Sequence, residues 1–171
     1  AAGMTLYVVY RRAEGKSLID YAFHVILSDP DPKMMGQEFP ALVADGYTSF
    51  KVYMTYERLR LDDYQMLRVL ELAKREGALT MVHAENHDMI RFSAERLLAR
   101  GDRAPKFRGV AHSRLAEGEA TFRAIALAEL LDALRRLRLD DGVNLVVADS
   151  RTVDLPPGPY DILFVDGDHS Y

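Results

Sequence analysis

The 171-residue chain contains no cysteine and no tryptophan. Without thiols there are no disulfides and no thiolate metal sites, so a metal ion held by this chain must be bound by imidazole, carboxylate or a less usual donor. Uninterrupted apolar runs are also scarce: none approaches the roughly 20 residues that a membrane helix needs. The N-terminus lacks the basic, apolar, small-residue order of a signal peptide, and a cytoplasmic location is the default expectation. An excess of basic charge is missing too. The net charge is −4, which points away from nucleic acid as a partner. What is present, 49% hydrophobic and 28% charged residues, suffices for one ordinary globular domain.

The two ends are unusual. The chain opens with AAGMTLYVVY, without an initiator methionine, and closes with ILFVDGDHSY, where a strand would hand over to a loop. A fragment of a longer protein is expected. Between the ends, β-rich runs alternate with stretches of helical period, the pattern of parallel βαβ units. Strands are predicted at 5–10, 19–28, 48–54, 79–83, 143–148 and 160–166, and helices at 33–45, 62–76, 87–100 and 114–137. The second helix is the best marked: Met66, Leu67, Val69, Leu70 and Ala73 form one apolar stripe, Asp62 or Asp63 can cap its start, and Gly77 follows its end. The stretch RGDRAPKFRGVAHSR, 100–114, reads as a long loop.

The segment SFKVYMTY, residues 49–56, places a lysine inside a strand. Alternation puts Ser49, Lys51 and Tyr53 on one side and Phe50, Val52 and Met54 on the other. In a parallel sheet covered on both faces, an unpaired ammonium is costly. One explanation is snorkelling, with the stem packed and the head in water. The other is chemical: a buried lysine that presents a neutral amine reacts with carbon dioxide to give a carbamate, an anionic oxygen ligand able to bridge two metal ions. The next strand, ALTMVHAEN, ends in His83, an imidazole where a barrel strand would meet its C-terminal loop.

In order and spacing, DYAFHVILSD, GYTSFKVYMTY, LELAKREGALTMVHAEN, ERLLARGDRAPKF and EATFRAIALAELLDA resemble the dihydropyrimidinase and D-hydantoinase branch of the cyclic amidohydrolases, over about residues 11–133. The resemblance implies an α/β fold, part of a (β/α)8 barrel, in which Lys51 is the carboxylated lysine bridging two zinc ions and His83 is a ligand of one. Tyr56 corresponds to the tyrosine whose hydroxyl stabilises the oxyanion, and the substrate is a small cyclic amide, a dihydropyrimidine or a hydantoin. The family also uses a His-x-His pair, a further histidine and a late aspartate. The histidines here, at 24, 83, 87, 112 and 169, contain no such pair, so the chain alone is expected not to turn over these substrates. His24 is read as a core histidine, His87 as a solvated residue of a first helical turn, and His112 as part of the long loop.

From about residue 134, LRLDDGVNLVVADSRTVDLPPGPYDILFVDGDHSY is similar to the later strands of class I S-adenosylmethionine-dependent methyltransferases. That likeness makes Asp149 and Ser150 candidate cofactor contacts, and Asp166, Asp168 and His169 a weaker alternative metal set. The glycine-rich cofactor loop is absent. The expected organisation is therefore an incomplete hydantoinase-like portion, 1–133, and a truncated methyltransferase-like strand pair, 134–171. A full barrel takes about 250 residues, so an open, mostly parallel sheet carrying the last two strands is expected, with exposed edges that favour self-association.

Overall fold

The computed structural model describes residues 13–136 and 162–163. They form an α/β unit around a small, open, all-parallel sheet in the order β1 (Val25–Ile26), β2 (Ser49–Tyr53), β3 (Leu79–His83), β4 (Ile162–Leu163). The predicted strands at 5–10 and 143–148 lie outside the described residues. The strand predicted at 19–28 shrinks to Val25–Ile26; among the described residues its first half joins no ladder, and Ile19 there is exposed.

The predicted helix at 33–45 is a π-helical turn, Met34–Glu38, leading into helix α1 (Phe39–Ala44). Pro40 accounts for the wide turn. It has no N–H to donate and its ring crowds the carbonyl four residues back, at Gly36, and widening the turn relieves that clash. The amide of Phe39 accordingly bonds to the Met34 carbonyl, five residues earlier.

Helix α2 (Asp63–Glu76) follows its sequence signals closely. The Asp62 carboxylate accepts from the Gln65 amide at 2.8 Å while the Gln65 side chain accepts from the Asp62 amide at 2.9 Å, a reciprocal cap. Gly77 ends the helix in the left-handed region at φ 69°. Helices α3 (His87–Ala99) and α5 (Arg114–Arg136) also stand where predicted. The expected loop at 100–114 is corrected: a 3₁₀ turn at Pro105–Phe107 and a short helix, α4 (Arg108–Ala111), occupy it. Pro105 starts the first of these, where its missing N–H costs nothing.

One face of the sheet carries the core. Phe50, Val52, Thr80 and Val82 are buried on it, with Leu27, Phe39, Met66 and Val69 packed around them. The rings of Phe39 and Phe50 stack with centroids 3.8 Å apart. Helix α5 approaches through alanines at a spacing of four, Ala116, Ala120, Ala124 and Ala128, all buried. The opposite face, with Ser49, Lys51, Tyr53, Leu79, Met81 and His83, is only half-buried. Among the described residues the expectation of a sheet covered on both faces is thus corrected, and the alternation is that of a sheet with one fully buried side. Among the described residues no helix is long and apolar enough to cross a membrane.

Thr80 sits on the packed side, fully buried, and its hydroxyl has no hydrogen-bond partner among the described residues. The shape-conserving change Thr80→Val removes an unsatisfied polar atom and is expected to be neutral or to stabilise by about 1 kcal/mol. Denaturant unfolding of the two proteins side by side checks this; a clear loss of stability would mean that the hydroxyl has a partner.

Candidate functional site

The half-buried face of the sheet ends in the candidate site. In the ladder between β2 and β3, Lys51 stands opposite Met81 and Tyr53 opposite His83, so Lys51, Tyr53 and His83 share one face. Pairing continues past the strand ends, where the Met54 amide donates to the His83 carbonyl at 3.0 Å. Lys51 is half-buried rather than buried. Its ammonium lies 5.6 Å from the centre of the Tyr53 ring, and among the described residues it forms no ion pair.

Tyr56 follows β2 in a tight loop. Its backbone takes the left-handed conformation, φ 68°, a costly state for a residue with a Cβ and one that concentrates at functional loops. Its carbonyl accepts from the amides of both Leu59 and Arg60 at 2.9 Å, which holds the conformation. The ring stacks on His83 with centroids 5.2 Å apart and planes 27° from parallel. Burial pushes the Tyr56 phenol above its ordinary value, the Glu85 charge pushes the same way, and Arg108 pulls it partly back. The hydroxyl therefore stays protonated and available as a donor.

His83 is tied to Glu85. Its Nε2 donates to Glu85 Oε2 at 2.8 Å, and Nδ1 of His112 donates to Glu85 Oε1 at 2.8 Å. Burial alone would raise the carboxyl of Glu85, but the hydrogen bonds from His112 and His83 outweigh it and hold the group below the usual carboxylate value. His112, read from sequence as a loop residue, is thus drawn into the site. The signal in the sequence is weak, since Glu85 and His112 are 27 positions apart and only the folding of 100–114 back over β3 joins them.

The other two histidines within the described residues are corrected as well. His24 is exposed and bonded to the Ser49 hydroxyl at 2.7 Å, not a core residue, because the ladder of described residues begins only after it, at Val25. His87, at the first position of α3, is largely buried rather than solvated. Its Nε2 lies 2.9 Å from the Glu57 carboxylate, an ion-pair distance without hydrogen-bond alignment. Asp149, Ser150, Asp166, Asp168 and His169 lie outside the described residues.

Behind the site, a polar network locks the elements together. The Asn86 amide donates to the Ala116 carbonyl at 2.9 Å, its side chain caps α3 at Met89 and donates to Glu119, and Arg123 joins Glu119 at 2.9 Å to Asp63 at 2.6 Å. Burial raises the Glu119 carboxyl, but hydrogen bonds from Arg123 and Asn86 overcome it and hold the group below its ordinary value of 4.5. Because the folded form is the stronger acid, this contribution is complete above pH 4.5 and is lost as the pH falls through the lowered folded value. Glu119→Gln is expected to flatten that acid limb by lowering the curve above pH 4.5, modestly because the carboxylate is partly solvated, while its acid end changes little. Urea unfolding across the acid range measures it, and an unchanged limb would contradict the assignment.

As to a metal ion, the described residues assemble no group of three or more His, Asp or Glu side chains able to hold one. Lys51, as a carbamate, and His83 are two donors on one face, and the Nε2 of His83 is already committed to Glu85. These residues do not complete a metal centre.

No protein-family model matches the chain. Among curated proteins, the chain is 42% identical over 122 residues to a D-hydantoinase of Rhizobium radiobacter, a match covering 71% of this chain and 26% of that enzyme. It is 43% identical over 125 residues to a D-hydantoinase of Streptomyces coelicolor, covering 72% and 27% respectively. Among solved structures, the dihydropyrimidinase from Brevibacillus agri superposes with a TM-score of 0.73 at 38% identity, over 77% of this chain and 29% of that one. The chain spans about a quarter of the length of the curated relatives it matches. These likenesses support the dihydropyrimidinase and D-hydantoinase group as its relatives and lend no support to the methyltransferase likeness of the C-terminal segment.

Proposed function

We propose that residues 13–136 are one sector of a cyclic-amidohydrolase barrel, of the type that opens the ring amide of hydantoins or dihydropyrimidines. The observation that carries this reading is the shared face of β2 and β3, which puts the lysine of FKVYMTY beside the histidine of VHAEN in segments 40% or more identical to D-hydantoinases. In this reading Lys51, once carboxylated, and His83 are donors to one edge of a metal centre, with zinc the metal of the resemblance. When bound, such a centre supplies an activated hydroxide and polarises the amide carbonyl.

The chain's own groups have separate tasks. The protonated Tyr56 hydroxyl is the donor for the charge that develops on the carbonyl oxygen, and its strained backbone and stacking on His83 hold it in place. Glu85 orients the His83 ring. The remaining donors are not among the described residues, so no catalytic step is assigned to this chain alone. The outer strands β1 and β4 each have a neighbour on one side only among the described residues, and self-association through those edges belongs to the same reading. S-adenosylmethionine enters only with the methyltransferase likeness of 134–171, whose contact residues the structure does not describe.

The test is a graft. Replacing the matching segment of a D-hydantoinase with residues 13–136 is expected to give a chimera that hydrolyses hydantoin, whereas the purified 171-residue chain, supplied with zinc, is expected to show no turnover. A folded chimera without activity would refute the proposal.

A further inference from the structure

Glu85 is the one charged residue classed with the core among the described residues, 8% exposed, and each of its oxygens is taken by a different imidazole. An ionised carboxylate can only accept, so both facing nitrogens, Nε2 of His83 and Nδ1 of His112, must carry hydrogen. In their neutral forms the two rings are then opposite tautomers: His83 keeps its lone pair on Nδ1, and His112 keeps its own on Nε2.

From this geometry we infer that Glu85 is a positioning residue that fixes the tautomer and in-plane rotation of His83, and that His112 braces it from the far side. Stacking on Tyr56 limits tilting of the His83 ring but leaves it free to flip about its own bond to the backbone; the bond to Glu85 removes that freedom. Glu85 would itself swing if held from one side only. His112 supplies the second hold, and its segment is anchored by the buried Ala111 and by the bond from the Asn86 amide to the Ala116 carbonyl. The consequence is a single lone pair, at Nδ1, with which His83 can serve a metal ion or a substrate. The inference deepens the proposed function, since it gives a purpose to Glu85 and His112 only if His83 is a working ligand.

Long-range proton–nitrogen NMR on the purified, metal-free chain, at a pH well above the ordinary imidazole value so that the rings are neutral, reads the tautomers directly. His83 is expected with its proton on Nε2 and His112 with its proton on Nδ1. In Glu85→Gln one acceptor oxygen is replaced by an NH₂ donor, so one of the two rings must reverse its tautomer while His24 and His87 keep theirs. A His83 protonated on Nδ1 in the unaltered chain, or two unchanged tautomers in Glu85→Gln, would overturn the inference. The first of these measurements needs no variant, so it decides even where Glu85→Gln fails to fold. Expected tautomers with an inactive graft would sink the proposed function alone, and reversed tautomers with an active graft would sink only the positioning role.

Discussion

Phe50→Ala is expected to cost about 3–5 kcal/mol, the usual loss for emptying a buried aromatic site. Phe50 is fully buried at the centre of β2, and its ring lies flat on that of Phe39, itself fully buried. Truncation leaves Phe39 facing a void that neither the sheet nor the stiff turn before α1 can collapse to fill. Since a domain's total stability is about 5–15 kcal/mol, the variant should lose a large share of it and unfold at a markedly lower denaturant concentration. The control is Phe92→Ala on α3, where the ring is 58% exposed and covered by Arg96 at 4.6 Å. That change should cost less than about 1 kcal/mol. Denaturant midpoints for the two variants test the pair, and equal losses would contradict the packing described for the core.

The second large effect concerns chemistry. In the hydantoinase graft, Lys51→Ala is expected to reduce hydantoin hydrolysis by more than the roughly 10–100-fold that follows loss of an outer-shell partner, because the proposal makes Lys51 a direct donor. Lys51→Arg should be as damaging. A guanidinium keeps the positive charge and much of the stem but cannot form a carbamate. The half-buried setting of Lys51, on the side of the sheet away from the core, means that neither change should disturb folding by more than about 1 kcal/mol. Activity retained in Lys51→Arg would reduce the lysine to a snorkelling residue and remove it from the site.

Local signals made the framework legible. Helix α2, expected at 62–76 and found at Asp63–Glu76, was readable because its cap at Asp62 or Asp63 and its stop at Gly77 are short-range instructions, each satisfied within a turn. Strand β3 was marked by its apolar run, and the split of Ser49, Lys51 and Tyr53 from Phe50, Val52 and Met54 followed from alternation, which needs only adjacent residues; that His83 shares the face of Lys51 comes from the register between the strands. What escaped the sequence was set by distant partners. His112 carries no local mark of its bond to Glu85, and the helical turns within 100–114 form in a segment whose glycines and proline read as a loop. The burial of His87 depends on a loop, 54–60, that folds against the start of α3. The exposure of His24 has a different origin, a strand that the apolar pattern promises but that, among the described residues, pairs only from Val25 onward.

The account stands on Lys51 being a lysine that takes up carbon dioxide beside His83. Carbon NMR of the hydantoinase graft, equilibrated with zinc and isotope-labelled bicarbonate, tests this directly, because a lysine carbamate gives its own resonance. The expected result is one such signal, absent from Lys51→Arg and weakened in His83→Ala. No carbamate signal, or one that persists in Lys51→Arg, would contradict the account.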